Sequence, residues 1–428
     1  MICLMSSPAW SQPATGTEQP PARATESAPV TPASGLLPVA AYPLELLGLL
    51  SPPAKRGPLT LTPAITVSEE YNDNLFQDNL RRQSDFITSF GPALTLLVNQ
   101  PSYELSAGYS FAADIYATES RLNNALDRQN FVASGTYRAS PGLTLTASDA
   151  FALDRSTSVV AVQGSSTGRQ ESWSNTFTPG LTWQMTARNS LSLSATYSVL
   201  RFLGGRTGGT EGAGAAGVDS DTYGFRSGLG HAFTPRLTGT VGYSFTYLNL
   251  TQGQEDSRTH NPTLGLTYRI TPTLTGRVDG GPSVTEIGKD TFITPGGAAS
   301  LTQAFQFGTA GVQYARGVSV AGGFGGTNET QTASATLAVT TLRPGLVVVF
   351  SPAYTESASV ASRQNEQVDV KTIALNLGVT YLIARYTTLF AGYTFLHQRT
   401  GGSSATQVDV DQNRVRFGLQ FGYPINFD

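Results

Sequence analysis

The sequence predicts an all-β fold: a transmembrane antiparallel up-and-down β-barrel of about 18 strands, with short periplasmic turns and long outer loops. Three observations predict it. Long segments alternate apolar and polar residues, the connections alternate between tight and long, and charged residues make up only 13% of the 428 residues. Ordinary soluble domains contain roughly 25% charged residues. No apolar run reaches the roughly 18 residues of a transmembrane helix, which excludes a helical membrane protein.

The last strand is the clearest element. Between Asn413 and Phe427, apolar residues occupy every second position, with polar residues or glycine between them and Pro424 as the one interruption. Strands of soluble proteins average about five or six residues, whereas a strand that crosses a bilayer needs about 9–11. We therefore expect 413–427 to be the closing strand of a barrel, paired with the first strand at 59–71.

The same alternation recurs in 102–115, 172–185, 190–199, 236–248 and 372–383. Two charged residues, Asp149 and Arg316, occupy positions that the alternation assigns to the lipid face. A lipid-facing arginine at the bilayer midplane costs roughly 2–4 kcal/mol, and an aspartate less. We expect a bulge at these positions, or a location above the hydrocarbon band.

The connections between strands alternate in length. Tight turns rich in Pro, Gly and Asn lie near 100, 140, 188, 235, 272, 306, 343 and 385, as short reversals require. Long polar connections are expected at 72–83, 117–127, 155–169, 204–219, 252–256, 288–295, 319–326, 358–365 and 400–410. This arrangement places both ends of the barrel domain on the periplasmic side.

The N-terminal part divides into two segments before the barrel domain, 59–428. Residues 1–11 resemble the end of a secretory signal peptide but lack its basic start, and they contain the single Cys3, which has no internal partner. Residues 12–58, rich in Pro and Ala, predict an extended periplasmic tether. Its apolar stretch 44–50 has three interpretations: packing at the inner mouth of the barrel, docking to a periplasmic partner, or plugging the lumen.

Catalytic and metal chemistry find little support in the sequence, so we predict neither an enzyme nor a cofactor. The histidines His231, His260 and His397 have Ser or Thr nearby by composition alone. Two acidic clusters, 69–74 and 409–413, are expected to be solvated loops. Calcium binding is the alternative, although neither cluster has the spacing of an EF-hand loop. The net charge of −3 gives no indication of nucleic acid as a partner.

The lumen is the remaining candidate site. Charged residues of mixed sign occupy the polar face, so a filter of a single charge sign is not predicted. A wet interior with Ser, Thr, Asn and Gln suits passage or retention of a hydroxyl-rich solute, while charge pairs that merely fill the lumen are the alternative. The lumen-facing candidates are Glu70, Asp85, Glu104, Asp114, Arg138, Arg226, Arg269, Arg277, Asp279 and Arg416.

A motif opens the first strand and loop: Tyr71, Asp73, Asn74 and Phe76 follow the pattern Tyr-x-Asp-Asn-hydrophobic-Phe. Further similar segments are Ser84–Ile87, Gly91–Leu94, Thr294–Leu301 and the Thr-Pro-x-Leu turns at 234–237 and 271–274. Together these segments resemble the β-barrel porin 2 family over roughly 59–427. The resemblance implies an outer-membrane barrel associated with exopolysaccharide export or exosortase-type surface systems, with no catalytic residues to transfer. The four motif residues are expected to hold the first outer loop by side-chain hydrogen bonds.

These observations lead to one functional prediction and one alternative. The prediction is a porin-like barrel in the bacterial outer membrane that takes part in exopolysaccharide translocation. The alternative is a structural or anchoring barrel that holds surface polymer or a periplasmic partner without conducting. The expected partners are the outer-membrane lipid bilayer and the barrel-assembly machinery. Polysaccharide and components of a periplasmic export system are expected as further partners.

Overall fold

The computed structural model describes residues 58–154, 171–203, 218–251, 255–320, 327–340, 342–360, 368–402 and 409–427. All of them belong to one compact unit, Ala33–Asp428. The predicted signal segment 1–11 and the tether with its apolar stretch 44–50 lie outside the described residues, apart from Pro58.

The described chain is built almost entirely from strands. A single turn of 3-10 helix, Ser120–Leu122, precedes β4. The strands are β1 (Leu59–Asn72), β2 (Asp85–Asn99), β3 (Tyr103–Tyr116), β4 (Asn124–Ser140), β5 (Leu143–Asp154), β6 (Glu171–Gln184), β7 (Asn189–Leu203), β8 (Ser220–Ala232), β9 (Leu237–Leu250), β10 (Ser257–Arg269), β11 (Leu274–Ile287), β12 (Asp290–Phe305), β13 (Gly308–Val320), β14 (Thr327–Val339), β15 (Leu346–Ser359), β16 (Val368–Ala384), β17 (Thr387–Gly402), β18 (Val410–Gly422) and β19 (Ile425–Phe427).

Consecutive strands pair antiparallel, and the last strand pairs with the first. β1 lies between β2 and β18, and its first residues pair with β19. Only Tyr423 and Pro424 separate β18 from β19, so the two are pieces of one strand and the sheet closes as a barrel of 18 strands. The predicted fold and the predicted pairing of the closing strand are confirmed. Closure leaves no edge strand at the seam, which an isolated sheet would have.

The connections define two ends of the barrel. We call the end with the segments 73–84 and 117–123 the loop end, and the end with the short turns the turn end. The predicted long connection at 288–295 is wrong, because β11 and β12 are joined through Gly288 and Lys289 alone. Gly288 has a φ of +58°, which a two-residue hairpin turn requires and glycine adopts without strain. The other residues of the predicted connection, 290–295, lie within β12.

The outer face of the barrel is apolar from strand to strand. Large side chains such as Leu264, Val241 and Phe417 are more than half exposed. A soluble monomer rarely exposes a contiguous apolar patch larger than a few hundred Å², whereas here such side chains follow one another from strand to strand. Near the loop end, the Tyr247 hydroxyl donates to Asp256 at 2.7 Å, and the exposed Tyr223 stacks against Tyr247 at 6.1 Å between ring centres. Trp183 and Tyr268 are exposed near the turn end. Two aromatic girdles around an apolar band are typical of a bacterial outer-membrane barrel, and this chain is one.

Neither of the two lipid-face charges lies in a bulge. The pairing of β5 with β4 and β6 runs unbroken past Asp149, and the side-chain amide of Asn175 donates to its carboxylate at 3.1 and 3.3 Å. Arg316 pairs with Glu329 at 2.5 Å. Each charge has a partner on the neighbouring strand, and Arg316 lies where the pairing of β13 with β12 ends.

Where the structure describes the chain, no helix has the length and apolar character to cross a membrane.

Candidate functional site

A continuous row of hydroxyl groups crosses half of the inner wall. Following the strand register from β3 to β11, each inward-facing position in this row is Ser or Thr, except on β8, where Gly224 takes the place. We call it the hydroxyl row: Ser106, Ser134, Ser148, Thr178, Thr196, Thr246, Thr259 and Thr285. Because the side-chain period of a strand is two, the row exists only while each strand keeps its register with the next.

Three pairs of neighbouring hydroxyls in the row bond to each other. Ser106 and Ser134 lie 2.7 Å apart, Thr178 and Thr196 3.4 Å, and Thr259 and Thr285 3.1 Å. A hydroxyl has one donor and two acceptor sites, so each of these groups retains capacity for a water molecule or a solute. The row therefore forms a polar, uncharged track on the inner wall.

Exposure changes along the row. Ser134 and Ser148 are exposed, and the β7 and β9 members are half-buried. Thr259 and Thr285 are 5% and 1% exposed. The track is open to solvent on β4 and β5 and covered on β10 and β11.

Charged side chains gather on the inner wall near the loop end, from β18 across the seam with β1 to β3 and β4. We call this set the lumen charge cluster: Glu70, Asp114, Arg128, Arg414 and Arg416. Arg414 binds both carboxylate oxygens of Glu70, at 2.9 and 3.1 Å. Arg128 pairs with Asp114 at 3.0 Å. The Glu70 and Asp114 side chains are only 7% and 8% exposed, and buried carboxylates need such partners.

Arg416 completes the cluster. Its Nε and Nη2 donate to the Ser68 hydroxyl at 3.1 and 2.9 Å, and its guanidinium lies 5.9 Å from the centre of the Phe390 ring. Arg128 and Arg414 are near enough for their charges to act on it. Three guanidinium groups against two carboxylates give the cluster a net positive charge. An anionic group of a solute would be attracted here at short range.

The other predicted lumen residues lie apart from this cluster. Glu104 and Arg138 pair at 2.7 Å near the turn end, where both side chains are about half exposed. Arg277 and Asp279 pair along β11 at 3.1 Å. Asp85 accepts hydrogen bonds from the backbone N–H groups of Phe86, Thr118 and Glu119 and so orders the second loop. Arg226 and Arg269 belong to the inner faces of β8 and β10, away from the seam.

Two arginines of the cluster were missing from the sequence-based candidates. Arg414 has the same parity as the predicted Arg416, so the alternation alone could have identified it. Arg128 directly follows the predicted connection 117–127, where the sequence gives no clear alternation. In the structure β4 already begins at Asn124. The longer strand brings Arg128 opposite Ala112 and beside Asp114.

A polar network fastens the first loop to the closing strand. The Asn74 side-chain amide donates to the Asp411 carbonyl oxygen at 2.9 Å and to Asn79 at 3.1 Å, and Asn74 is fully buried. Asp73 accepts from the backbone and side-chain N–H groups of Asn413 at 2.6 and 2.7 Å. The two acidic clusters of the sequence therefore meet, and we call their contact the seam network.

Of the other motif residues, Tyr71 packs against Phe86 at 5.0 Å between ring centres. Phe76 packs beside buried Leu75 and Leu122, under the Arg121 guanidinium. Together these contacts hold the loop 73–84 across the mouth of the β1–β18 seam.

The histidines have separate partners. The Nδ1 atoms of His231 and His260 bond to Asn189 and Tyr243, both at 2.7 Å, while His397 bonds to Asp411 on the outer face. Within the described ranges, no group of three or more His, Cys, Asp or Glu side chains is arranged to hold a metal ion.

Comparisons with known proteins give structural likenesses only. No protein-family profile matches the sequence, and no curated protein matches it. One similar solved structure is Acinetobacter baumannii OccAB4, with 11% identity and a TM-score of 0.44, covering 87% of this chain and 100% of that one. Another is Pseudomonas aeruginosa OpdQ, with 13% identity and a TM-score of 0.45, covering 86% of this chain and 98% of that one. A third is the siderophore receptor PirA from Pseudomonas aeruginosa, with 9% identity and a TM-score of 0.42, covering 85% of this chain and 80% of that one. The fold stated above rests on the strand pairing of this chain itself.

Proposed function

We propose that this barrel is a porin-like channel of the outer membrane for hydroxyl-rich solutes, and that exported polysaccharide is the solute. The observation that supports the proposal is the hydroxyl row. Sugar hydroxyls donate and accept hydrogen bonds, and a Ser or Thr hydroxyl can rotate to match either role. A wall of such groups replaces the water around a sugar at little cost in hydrogen bonds.

The experiment combines conductance with sugar recognition. Purified protein is reconstituted in planar bilayers, and current is recorded with and without neutral oligosaccharides on one side. We expect open-channel currents that are interrupted when a sugar enters. The variant Ser134→Leu with Ser148→Leu removes two exposed hydroxyls, and we expect sugar-induced interruptions to become rarer and shorter.

The matched control is Ala147→Leu, which adds the same side chain to the lipid-facing side of β5. We expect it to leave sugar recognition unchanged. Folded protein that gives no current would contradict the channel. Currents that sugars interrupt equally in the variant and the control would contradict the role of the hydroxyl row.

A second candidate function is an anchoring barrel that holds surface polymer or a periplasmic partner without conducting. Burial at the loop end favours it, since the inward-facing Val370, Gln398 and Val410 are at most 1% exposed. In this case folded protein would bind polysaccharide in a pull-down and yet give no current. Deleting the tether 12–58 tests the periplasmic partner, because loss of secretion with normal barrel insertion indicates docking.

A further inference from the structure

The wall of the barrel is split at the loop end between β12 and β13. Their pairing runs from Phe305 and Gly308 at the turn end and stops at Gly297 and Arg316. β12 continues to Asp290 paired with β11 alone, and β13 continues to Val320 paired with β14 alone. On the β13 side, residues 290–296 have no strand partner in the part of the chain that the structure describes. We call the gap between 293–296 and 317–320, which would be register partners in a fully paired wall, the slit.

The upper ends of β13 and β14 turn into the barrel. The Thr327 hydroxyl, at the start of β14, donates to the Ser257 hydroxyl on β10 at 2.7 Å, although three strands lie between them in the sheet. Ser257 belongs to the inner face, as does Thr259, which bonds to Thr285. β13 also approaches β11 with β12 between them. The inturned ends therefore lie against the inner wall of β10 and β11, and the described residues 317–320 are not paired with 293–296.

Proline and glycine residues mark the line along which the wall divides. Pro282 and Pro295 are register partners on β11 and β12, and Pro262 lies beside them on β10. A Cβ on Gly281 would come within 1.9 Å of the Pro262 carbonyl oxygen. Proline has no N–H for the ladder and is confined to sheet edges and bulges. Pro295 therefore fits an edge and would leave a closed wall one hydrogen bond short.

An apolar groove continues the slit on the lipid face. It is bounded by Leu301 and Val312 on one side and by Tyr354 and Ile373 on the other, over a floor that includes Ala333. Its volume is about 740 Å³. Ala299 and Tyr314 line it one pair of outward-facing residues below Arg316, where the slit begins. The inward displacement of β13 and β14 explains why the outer surface is concave here.

We propose that the slit and the groove form a lateral site for a lipid-like amphiphile, with one acyl chain in the groove and the polar head in the slit. The groove faces the hydrocarbon of the bilayer and is lined mainly by apolar side chains. An acyl chain can therefore enter it without leaving an apolar environment. Between 293–296 and the described residues 317–320, the slit offers backbone groups that no described strand pairs on this side, together with the charged pair of Arg316 and Glu329, to a head group. The site connects the lumen with the outer leaflet and does not require the lumen to conduct.

The groove is tested with a palmitic acid analogue that carries a photoreactive diazirine near the end of its chain, in phospholipid vesicles. We expect a several-fold enrichment of label on peptides containing Leu301, Val312 and Tyr354 over the lipid-facing Phe177 and Leu181 on β6. Ala333→Phe fills the floor of the groove and should abolish the enrichment. Ala195→Phe, on the lipid face of β7, should preserve it. Even labelling around the barrel, or enrichment that survives Ala333→Phe, would overturn the proposal.

The slit is tested by paired cysteines in a Cys3→Ser background. Pro295→Cys with Val318→Cys would be register partners if the wall were closed, and Leu301→Cys with Val312→Cys are partners of the same type where the wall is paired. Under mild oxidant we expect the second pair to form a disulfide quickly and the first pair to remain reactive toward maleimide. Equal rates of disulfide formation would show that the wall is closed, and the proposal would fail.

Discussion

The ion pair between Glu70 and Arg414 gives the sharpest test of the lumen charge cluster. The perturbation is Glu70→Leu, which removes the carboxylate and leaves three arginines with Asp114 as the remaining acid. The Glu70 side chain is 7% exposed and the Arg414 side chain 21%. Removing one partner of a buried pair costs roughly 3–5 kcal/mol, because the other charge stays buried and loses its ion-pair partner.

Lumen water reduces this cost, since Arg414 retains some exposure. We therefore expect the lower end of the range, a loss of about 3 kcal/mol in the free energy of unfolding. Arg414→Leu should cost a similar amount. Because replacing both charged partners by apolar residues is often close to neutral, the double variant should recover most of the loss, with a coupling energy of about 2 kcal/mol or more.

The assay is urea unfolding of the barrel in detergent micelles, followed by tryptophan fluorescence and by the shift in gel mobility between folded and unfolded barrels. The matched control is Glu104→Leu, which breaks the pair with Arg138. Both side chains of that pair are about half exposed, so the loss should stay below about 1 kcal/mol. An equal loss in the control, or additive losses in the Glu70 and Arg414 variants, would refute the reasoning.

Two further predictions concern the seam network and the line of prolines. Asn74→Ala removes a fully buried amide that bonds to Asp411 and Asn79. We expect the free energy of unfolding in urea to fall by about 1–3 kcal/mol and limited proteolysis within 73–84 to become faster. Unchanged cleavage would count against the network. Gly281→Ala places a Cβ 1.9 Å from the Pro262 carbonyl oxygen, so we expect no folded band on unheated gels. The control Gly378→Ala adds a Cβ that meets nothing within 4 Å and should fold normally. A folded Gly281→Ala barrel would show that the close approach of β10 and β11 can relax.

The alternation of residue types was enough to predict most of the fold. Strand faces follow directly from parity, so Phe417 faces lipid and Arg416 faces the lumen in the closing strand, as the sequence indicates. Strand ends were harder, because polar residues continue past the membrane into strands that rise above it. Arg128 was missed for this reason. Its strand extends beyond the hydrocarbon band, where apolar alternation no longer marks the strand.

The seam network shows that strand pairing decides the role of residues whose local sequence leaves it open. Considered separately, the clusters 69–74 and 409–413 are expected to be solvated loops, with calcium binding as the alternative. Once β1 and β18 are neighbours, Asp73 lies opposite Asn413 and the polar groups satisfy each other across about 340 residues of chain. The predicted pairing of 59–71 with 413–427 stops two residues short of Asp73, so the sequence brought the two clusters close without giving this contact. The slit was beyond such reasoning, since Pro295 indicates a missing hydrogen bond but not which neighbouring strand is lost.

The slit and the hydroxyl row depend on the same strand ends, and this leads to a last prediction. The upper ends of β13 and β14 lie against β10 and β11, where Thr259 and Thr285 are covered. Returning β13 to its place beside β12 would close the slit and uncover these hydroxyls. In the variant Pro295→Cys with Val318→Cys, a bifunctional maleimide that joins the two residues should therefore raise single-channel conductance above that of the unlinked protein. The same linker between Leu301→Cys and Val312→Cys should leave conductance unchanged, since that part of the wall is already paired. Equal conductance before and after linking the slit would mean that the inturned ends do not restrict the lumen, and the two sites would then act independently.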